Sequence, residues 1–304
     1  MARMTLDQGA DVQAKDDDGE TPLCVACQYG HHAVAELVLE HGADVNEKYT
    51  QGFTPLLVAC SRGFLQLAQL LLDHGGNMAD TTDSGKAPLH VACQSGHIEI
   101  AQLILDLGGD VAQKDSSGWT PLHFACHSGH SEIARLLLDR GGDVFAQNDD
   151  GFTPISEALE SVEVTRALLD WGVDVNARIE KKCTLLFLAC GSGRIGVPRL
   201  LLDRGADVNA QNINGLVSPL DTACLSGHFE LARLLLERGA NVGAASAKPL
   251  SIACRNNHLE IVWLLIHRNP CLILDGASTV LHQNQERMND TTESGESARK
   301  RQKT

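Results

Sequence analysis

Apolar positions fall into two kinds of cluster, and the two alternate along the chain. Between residues 120 and 141 the first kind is Leu122, Ala125 and Cys126, spaced i, i+3 and i+4. That spacing predicts a short helix with one apolar stripe. Thr120 is placed to cap it, and Pro121 suits its first position, where the missing N–H is no loss. Gly129 follows where a chain leaving a helix takes a left-handed residue. The second kind is the Leu-rich run "HSEIARLLLDR", which predicts a helix burying Ile133, Leu136 and Leu137 and stopped by Gly141.

The pair of clusters recurs. Thr21-Pro22-Leu23, Thr54-Pro55-Leu56, Ala87-Pro88-Leu89, Thr120-Pro121-Leu122 and Thr153-Pro154-Ile155 start 33 residues apart. Weaker copies follow at Thr184-Leu185-Leu186, Ser218-Pro219-Leu220 and Lys248-Pro249-Leu250, at spacings of 31, 34 and 30. Every copy but the fifth continues into Ala-Cys, and glycine recurs at both helix stops. In the last copy Asn257 and Asn269 take the stops, and asparagine is the best substitute for glycine in a left-handed cap. Backbone geometry is therefore what the stop positions demand. Between copies, Asp18-Gly19, Gln51-Gly52, Ser84-Gly85, Ser117-Gly118, Asp150-Gly151 and Asn214-Gly215 predict hairpin fingertips. A fixed period near 33 residues means a repeat array.

The Thr-Pro-Leu-His, Gly-His and Leu-Leu-x-x-Gly-Ala-Asp-Val-Asn elements resemble the ankyrin repeat over about 270 of the 304 residues. The resemblance implies an all-α solenoid of stacked helix–turn–helix units with projecting β-hairpin fingers. The expected organisation is a partial repeat at 1–20, about eight repeats at 21–275, and a disordered polar tail at 276–304. Asparagines of the Asp-Val-Asn slot (Asn46, Asn176, Asn209) are expected to satisfy loop backbone. The resemblance also makes that slot a hydroxylation target.

One stretch looks like a metal site. In "GWTPLHFACHSGH", His123, Cys126, His127 and His130 are spaced i, i+3, i+4 and i+7. Gly129 ends the helix before His130, however, and the His123 slot holds His90, Cys24, Leu57, Ser156, Phe187, Asp221 and Ser251 elsewhere. We expect no bound metal and no cofactor. The chain has ten cysteines, and seven fill the same slot of successive repeats. Stacked helices lie about 8–10 Å apart, beyond the about 7 Å between Cα atoms that a disulfide permits. Only Cys24, Cys183 and Cys271 lie outside this ladder. Free buried thiols point to a reducing compartment. With no apolar leader in "MARMTLDQGADVQ" and no long apolar run, the expectation is a soluble, cytoplasmic protein without membrane contact.

The net charge is −14, and residues 276–304, with five basic and four acidic side chains, do not contribute to the deficit. An acidic body repels a phosphate backbone, and 4% aromatic residues offer no stacking platform, so no direct nucleic-acid contact is expected. "GSGRIG" at 191–196 sits between helices, not after a strand, so it is no dinucleotide loop. Acids such as those of "KDDDGE" lie on fingertips as solvated turn residues. No other catalytic motif stands out, and the chain is expected not to be an enzyme.

The chain opens inside a repeat, which leaves two readings: a piece of a longer array, or a frayed first segment. Arg299-Lys300-Arg301-Gln302-Lys303 reads either as a solvated basic tail, the preferred reading, or as a nuclear import signal. Repeat five lacks two residues and the Ser-Gly-His turn between its helices, and repeat six carries Pro198 where its neighbours have Ala134 or Ala232. A proline there either starts the helix late or kinks it, at a cost of about 3 kcal/mol within a helix. These two repeats are expected to form a soft joint over 156–199.

The commitment is a non-catalytic interaction scaffold, acting as a monomer, that binds another protein along its concave groove. The alternatives are a regulatory fragment of a larger ligase or kinase, and a nuclear cofactor directed by the tail. Finger residues immediately before each Thr-Pro-Leu include Phe53, Lys86, Trp119 and Phe152, with Tyr49 close by. These five form the expected partner-binding row, because interface hot spots are enriched in aromatic residues within a polar surround. The competing reading is that each ring packs on its own repeat or the next.

Overall fold

The computed structural model describes residues 11–17, 19–179, 183–212, 217–242 and 249–268. Asn214-Gly215, Asn269, Cys271, the tail and its basic cluster lie outside the described residues, as does most of the segment 1–20. The chain divides into two compact units, residues 1–180 and 181–304.

In the first unit helices come in pairs: α1 (Pro22–Tyr29) with α2 (His32–Glu40), α3 (Pro55–Arg62) with α4 (Leu65–Asp73), and α5 (Pro88–Ser95) with α6 (Ile98–Asp106). They continue with α7 (Pro121–His127) and α8 (Ser131–Asp139), then α9 (Pro154–Glu157) and α10 (Val162–Trp171). First helices pack on first helices and second on second, so α1, α3, α5, α7 and α9 form an inner row. The second unit holds α11 (Leu185–Ala189) with α12 (Gly196–Asp203), α13 (Pro219–Ser226) with α14 (Phe229–Glu237), and α15 (Pro249–Arg255) with α16 (Leu259–Arg268). No strand occurs among the described residues. The fold is an all-α repeat stack.

Each first helix starts where the sequence places it, with proline at its first position in all described pairs but the sixth. Thr54 Oγ1 accepts from Leu57 N–H at 3.4 Å, and Ser218 Oγ from Asp221 N–H at 3.2 Å. Thr120 is at the cap position, but its hydroxyl meets the His123 ring instead of the helix backbone. First helices are buried nearly all round, because a neighbour lies on each side. The α8 stripe needs correction: Ile133, Ala134, Leu137 and Leu138 are buried while Leu136 is only half-buried. With α7 packed beside α8, the buried arc shifts towards Leu138.

Pro198 neither kinks nor breaks its helix. The helix α12 begins late, at Gly196, so Pro198 falls in the first turn, where no backbone donor is needed. Its first internal bond runs from Arg199 N–H to the Ile195 carbonyl, one residue beyond the Ala134–His130 equivalent in α8. The penalty of a mid-helix proline is therefore not incurred. Repeat five is weak for another reason, since α9 has four residues and hands over to a 3-10 turn, Ala158–Glu160.

The boundary between the two compact units falls within residues 156–199. Amide exchange in that stretch is expected to be faster than over 87–148, where the inner helices have seven or eight residues. Equal protection in mass-spectrometric exchange would contradict this.

Candidate protein-binding face

Each finger of the first unit is a tight turn, not a β-hairpin. The N–H of its first residue donates to the carbonyl of its fifth: Tyr49 to Phe53 at 3.0 Å, Thr82 to Lys86 at 3.1 Å, Asp115 to Trp119 at 2.9 Å, and Asn148 to Phe152 at 3.0 Å. Neighbouring fingers are joined by one bond each, from Asp83 N–H to Gln51 O, Ser116 N–H to Ser84 O and Asp149 N–H to Ser117 O. Too few bonds form for a ladder. Of the described residues preceding a fingertip glycine, only Gln51 is left-handed, at φ 59°. The others therefore lack the two positive φ angles of a type I′ hairpin turn.

The first finger residue is usually a side-chain acceptor. Asp115 Oδ1 takes the Trp119 N–H at 2.8 Å, Asn148 Oδ1 the Phe152 N–H at 2.8 Å, and Thr82 Oγ1 the Lys86 N–H at 3.2 Å. Tyr49 stands in this slot without such a group, beside the left-handed Gln51. Its ring lies 6.4 Å from that of Phe53. Burial holds the Tyr49 hydroxyl above the ordinary range for a phenol.

The five expected residues thus occupy four successive fingers, but in different environments. Tyr49, Phe53, Lys86 and Trp119 are half-buried, whereas Phe152 is 45% exposed. Trp119 packs on its own repeat, 5.0 Å from Phe124 and 5.4 Å from His127 between ring centres. Lys86 Nζ lies 4.8 Å over the Phe124 ring and donates to Gln94 Oε1 at 3.0 Å. A concavity of about 500 Å³ opens behind the second finger, lined by Glu20, Gln28, Tyr49, Phe53, Ser61 and Arg62 among others. The next, of about 560 Å³, is lined by Phe53, Ser61, Thr82, Lys86, Gln94 and Ser95 among others. Phe53 and Ser61 line both. The sequence reading missed the floor residues Gln28, Ser61, Arg62 and Gln94. Their signal was available in the variation just before the first helix stop, where Tyr29 and Arg62 replace the Ser95, Ser128, Ser192 and Ser226 of other repeats.

The histidines beneath these fingers are connectors. His123 Nδ1 accepts from Thr120 N–H at 3.1 Å, while Nε2 donates to the Phe152 carbonyl of the next finger at 3.1 Å. His90 does the same, bridging Ala87 N–H to the carbonyls of Gln113 at 2.9 Å and Trp119 at 3.2 Å. Both rings are fully buried, and burial holds their pKa below the ordinary 6.5. In repeat seven Asp221 takes the slot, accepting from Ser218 N–H and Oγ at 2.9 and 2.8 Å. Burial pushes its carboxyl up.

His130 lies outside α7, at the cap of α8. No group of three or more metal-capable side chains occurs among the described residues. The described cysteines are free, and burial pushes the thiols of Cys190 and Cys224 up to about 12 and those of Cys60, Cys93 and Cys126 higher still. Such thiols are neutral and unreactive at physiological pH. Cys254 departs from the expected buried ladder and is exposed, because no described inner helix follows α15. No helix among the described residues is long and apolar enough to cross a membrane.

The ankyrin repeats (3 copies) family model matches residues 1–49, 46–115, 107–179 and 174–246, and the single ankyrin repeat model matches 249–275. The chain belongs to the ankyrin-repeat family. Ankyrin repeats are protein–protein interaction modules and are typically non-catalytic. No match to a curated protein was found.

Proposed function

We propose that this chain is a non-catalytic scaffold that binds a partner protein on the concave face of repeats one to five. The observation that carries the reading is the pair of adjoining concavities sharing Phe53, walled by fingers whose turns are hydrogen-bonded in place. Fixed turns present Tyr49, Phe53, Lys86, Trp119 and Phe152 with little ordering cost on binding. The acidic body supports a protein partner over a nucleic acid, with the chain acting as a monomer.

The test is capture of a partner with the full chain, followed by affinity measurement. Trp119→Ala with Phe152→Ala is expected to weaken binding by about 2 kcal/mol, roughly 30-fold. Because Trp119 packs on Phe124 and His127, Phe152→Ala alone serves as the arm with the smaller effect on folding. Normal binding by both variants, with helical circular dichroism intact, would make the rings scaffold.

A further inference from the structure

The basic side chains of this acidic protein are not evenly neutralised. On the outer helices Arg135 meets Asp170, Arg140 meets Asp106 at 2.8 Å, Arg233 meets Glu230, and Arg238 meets Asp203 at 2.8 Å. Arg62 and Lys86 differ: among the described residues neither forms an ion pair. Arg62 is exposed in the first concavity, where Tyr49 and Phe53 also stand. Lys86 lies in the second, held by Gln94 and the Phe124 ring. The acids facing the same space are accounted for. Glu20, in the first concavity, is within reach of the Gln28 amide at 3.2 and 3.3 Å once that amide is turned to satisfy both. Asp83 sits exposed on its fingertip, its N–H tied to the Gln51 carbonyl.

Two unneutralised cations on successive repeats, with an aromatic ring between their concavities, define a ligand of opposite charge. We propose that the partner segment is an acidic peptide in extended conformation, with an apolar side chain on Phe53 and carboxylates at Arg62 and Lys86. This rests on the concave-face reading above. The spacing suits an extended chain. One repeat step is about 10 Å, and extended chain rises about 3.3 Å per residue, so carboxylates about three residues apart follow the groove. Desolvation of Phe53 supplies affinity, and the paired charges fix register and polarity.

The experiment is selection of a short random-peptide library, displayed on phage, against the full chain. The expected winners carry Asp or Glu about three residues apart flanking an apolar residue. Arg62→Gln with Lys86→Gln should weaken the winning peptide at least about tenfold, and Arg135→Gln with Arg140→Gln, the same change of charge on the outer helices, should not. Should the first pair lose its helical signal, the unaltered protein decides. Its affinity for the winner must fall between about 50 and 200 mM salt, and salt-independent binding overturns the proposal. Neutral or basic winners that still need Phe53 overturn the acidic chemistry and leave the concave face standing. An empty selection, or winners indifferent to Phe53→Ala, Arg62→Gln and Lys86→Gln together, overturns both.

Discussion

Replacing Gly96 by alanine is expected to destabilise the protein by about 3 kcal/mol, whereas the same change at Gly129 costs about 1 kcal/mol. The two residues occupy the same helix-stop slot with nearly the same backbone, φ 84° and 85°. A left-handed conformation costs an L-residue about 1–2 kcal/mol, and both variants bear that cost. They differ in what lies outside. A Cβ on Gly96 would fall 2.5 Å from the His130 ring, while a Cβ on Gly129 has nothing within 4 Å, because repeat five lacks the histidine. The His130 ring must then leave its place, breaking its Nε2 bond to the Gln94 carbonyl at 3.2 Å. That loss is about 1 kcal/mol, and the repacking adds about as much again. The ring recurs on the stop glycine of the preceding repeat at His97 over Gly63, His228 over Gly193 and His258 over Gly227. Denaturant unfolding of Gly96→Ala, Gly129→Ala and Gly96→Ala with His130→Ala measures the difference. Equal costs for the two single variants, or no recovery in the double variant, would remove the ring contact as the reason.

Truncating His123 to alanine is expected to cost about 3–4 kcal/mol, more than most core deletions of its size. The ring is fully buried, and its loss strands two backbone groups, the Thr120 N–H and the Phe152 carbonyl. Each unpaired buried group costs about 1–3 kcal/mol, and the cavity adds to this. The Phe152 carbonyl belongs to a finger of the proposed binding face, so partner affinity should fall with stability. The same bridge makes stability depend on pH. His90 and His123 need a neutral ring, with Nδ1 accepting and Nε2 donating, and burial holds both below the ordinary 6.5. Above about pH 6.5 folded and unfolded histidines are alike neutral and the contribution is fully present. As pH falls below that value the unfolded rings take up protons and the folded ones do not, so stability is lost down to the folded pKa values. Unfolding followed from pH 7.5 to 5 should show that decline, and it should be smaller when both histidines are replaced. An unchanged slope in the double variant would exclude these rings as its source.

The repeat period, the helix pairs, their proline starts and their glycine stops were legible in the chain. These depend on local backbone preferences, which act within a few residues and recur at each copy. Asn257 shows how well that logic carries, for it stands in a glycine slot and adopts φ 60°. Asn46 and Asn209 likewise satisfy loop backbone, reaching the Gly75 and Gly239 carbonyls at 3.1 and 3.4 Å. The five finger residues were also legible as a row, since a repeat fixes which residues are equivalent. What the stack alone decided is how each equivalent slot is used. Trp119 packs down on Phe124 and His127 while Phe152 stays exposed, because their neighbours differ. Pro198 is harmless because α12 starts one residue late, and the buried arc of α8 reaches Leu138 because α7 lies against it. The stop glycines answer to a histidine of the next repeat as well as to their own φ, a distance of 33 residues that no local pattern reports. Local preference determined where the elements are, and contacts between repeats determined which side chains were left to face a partner.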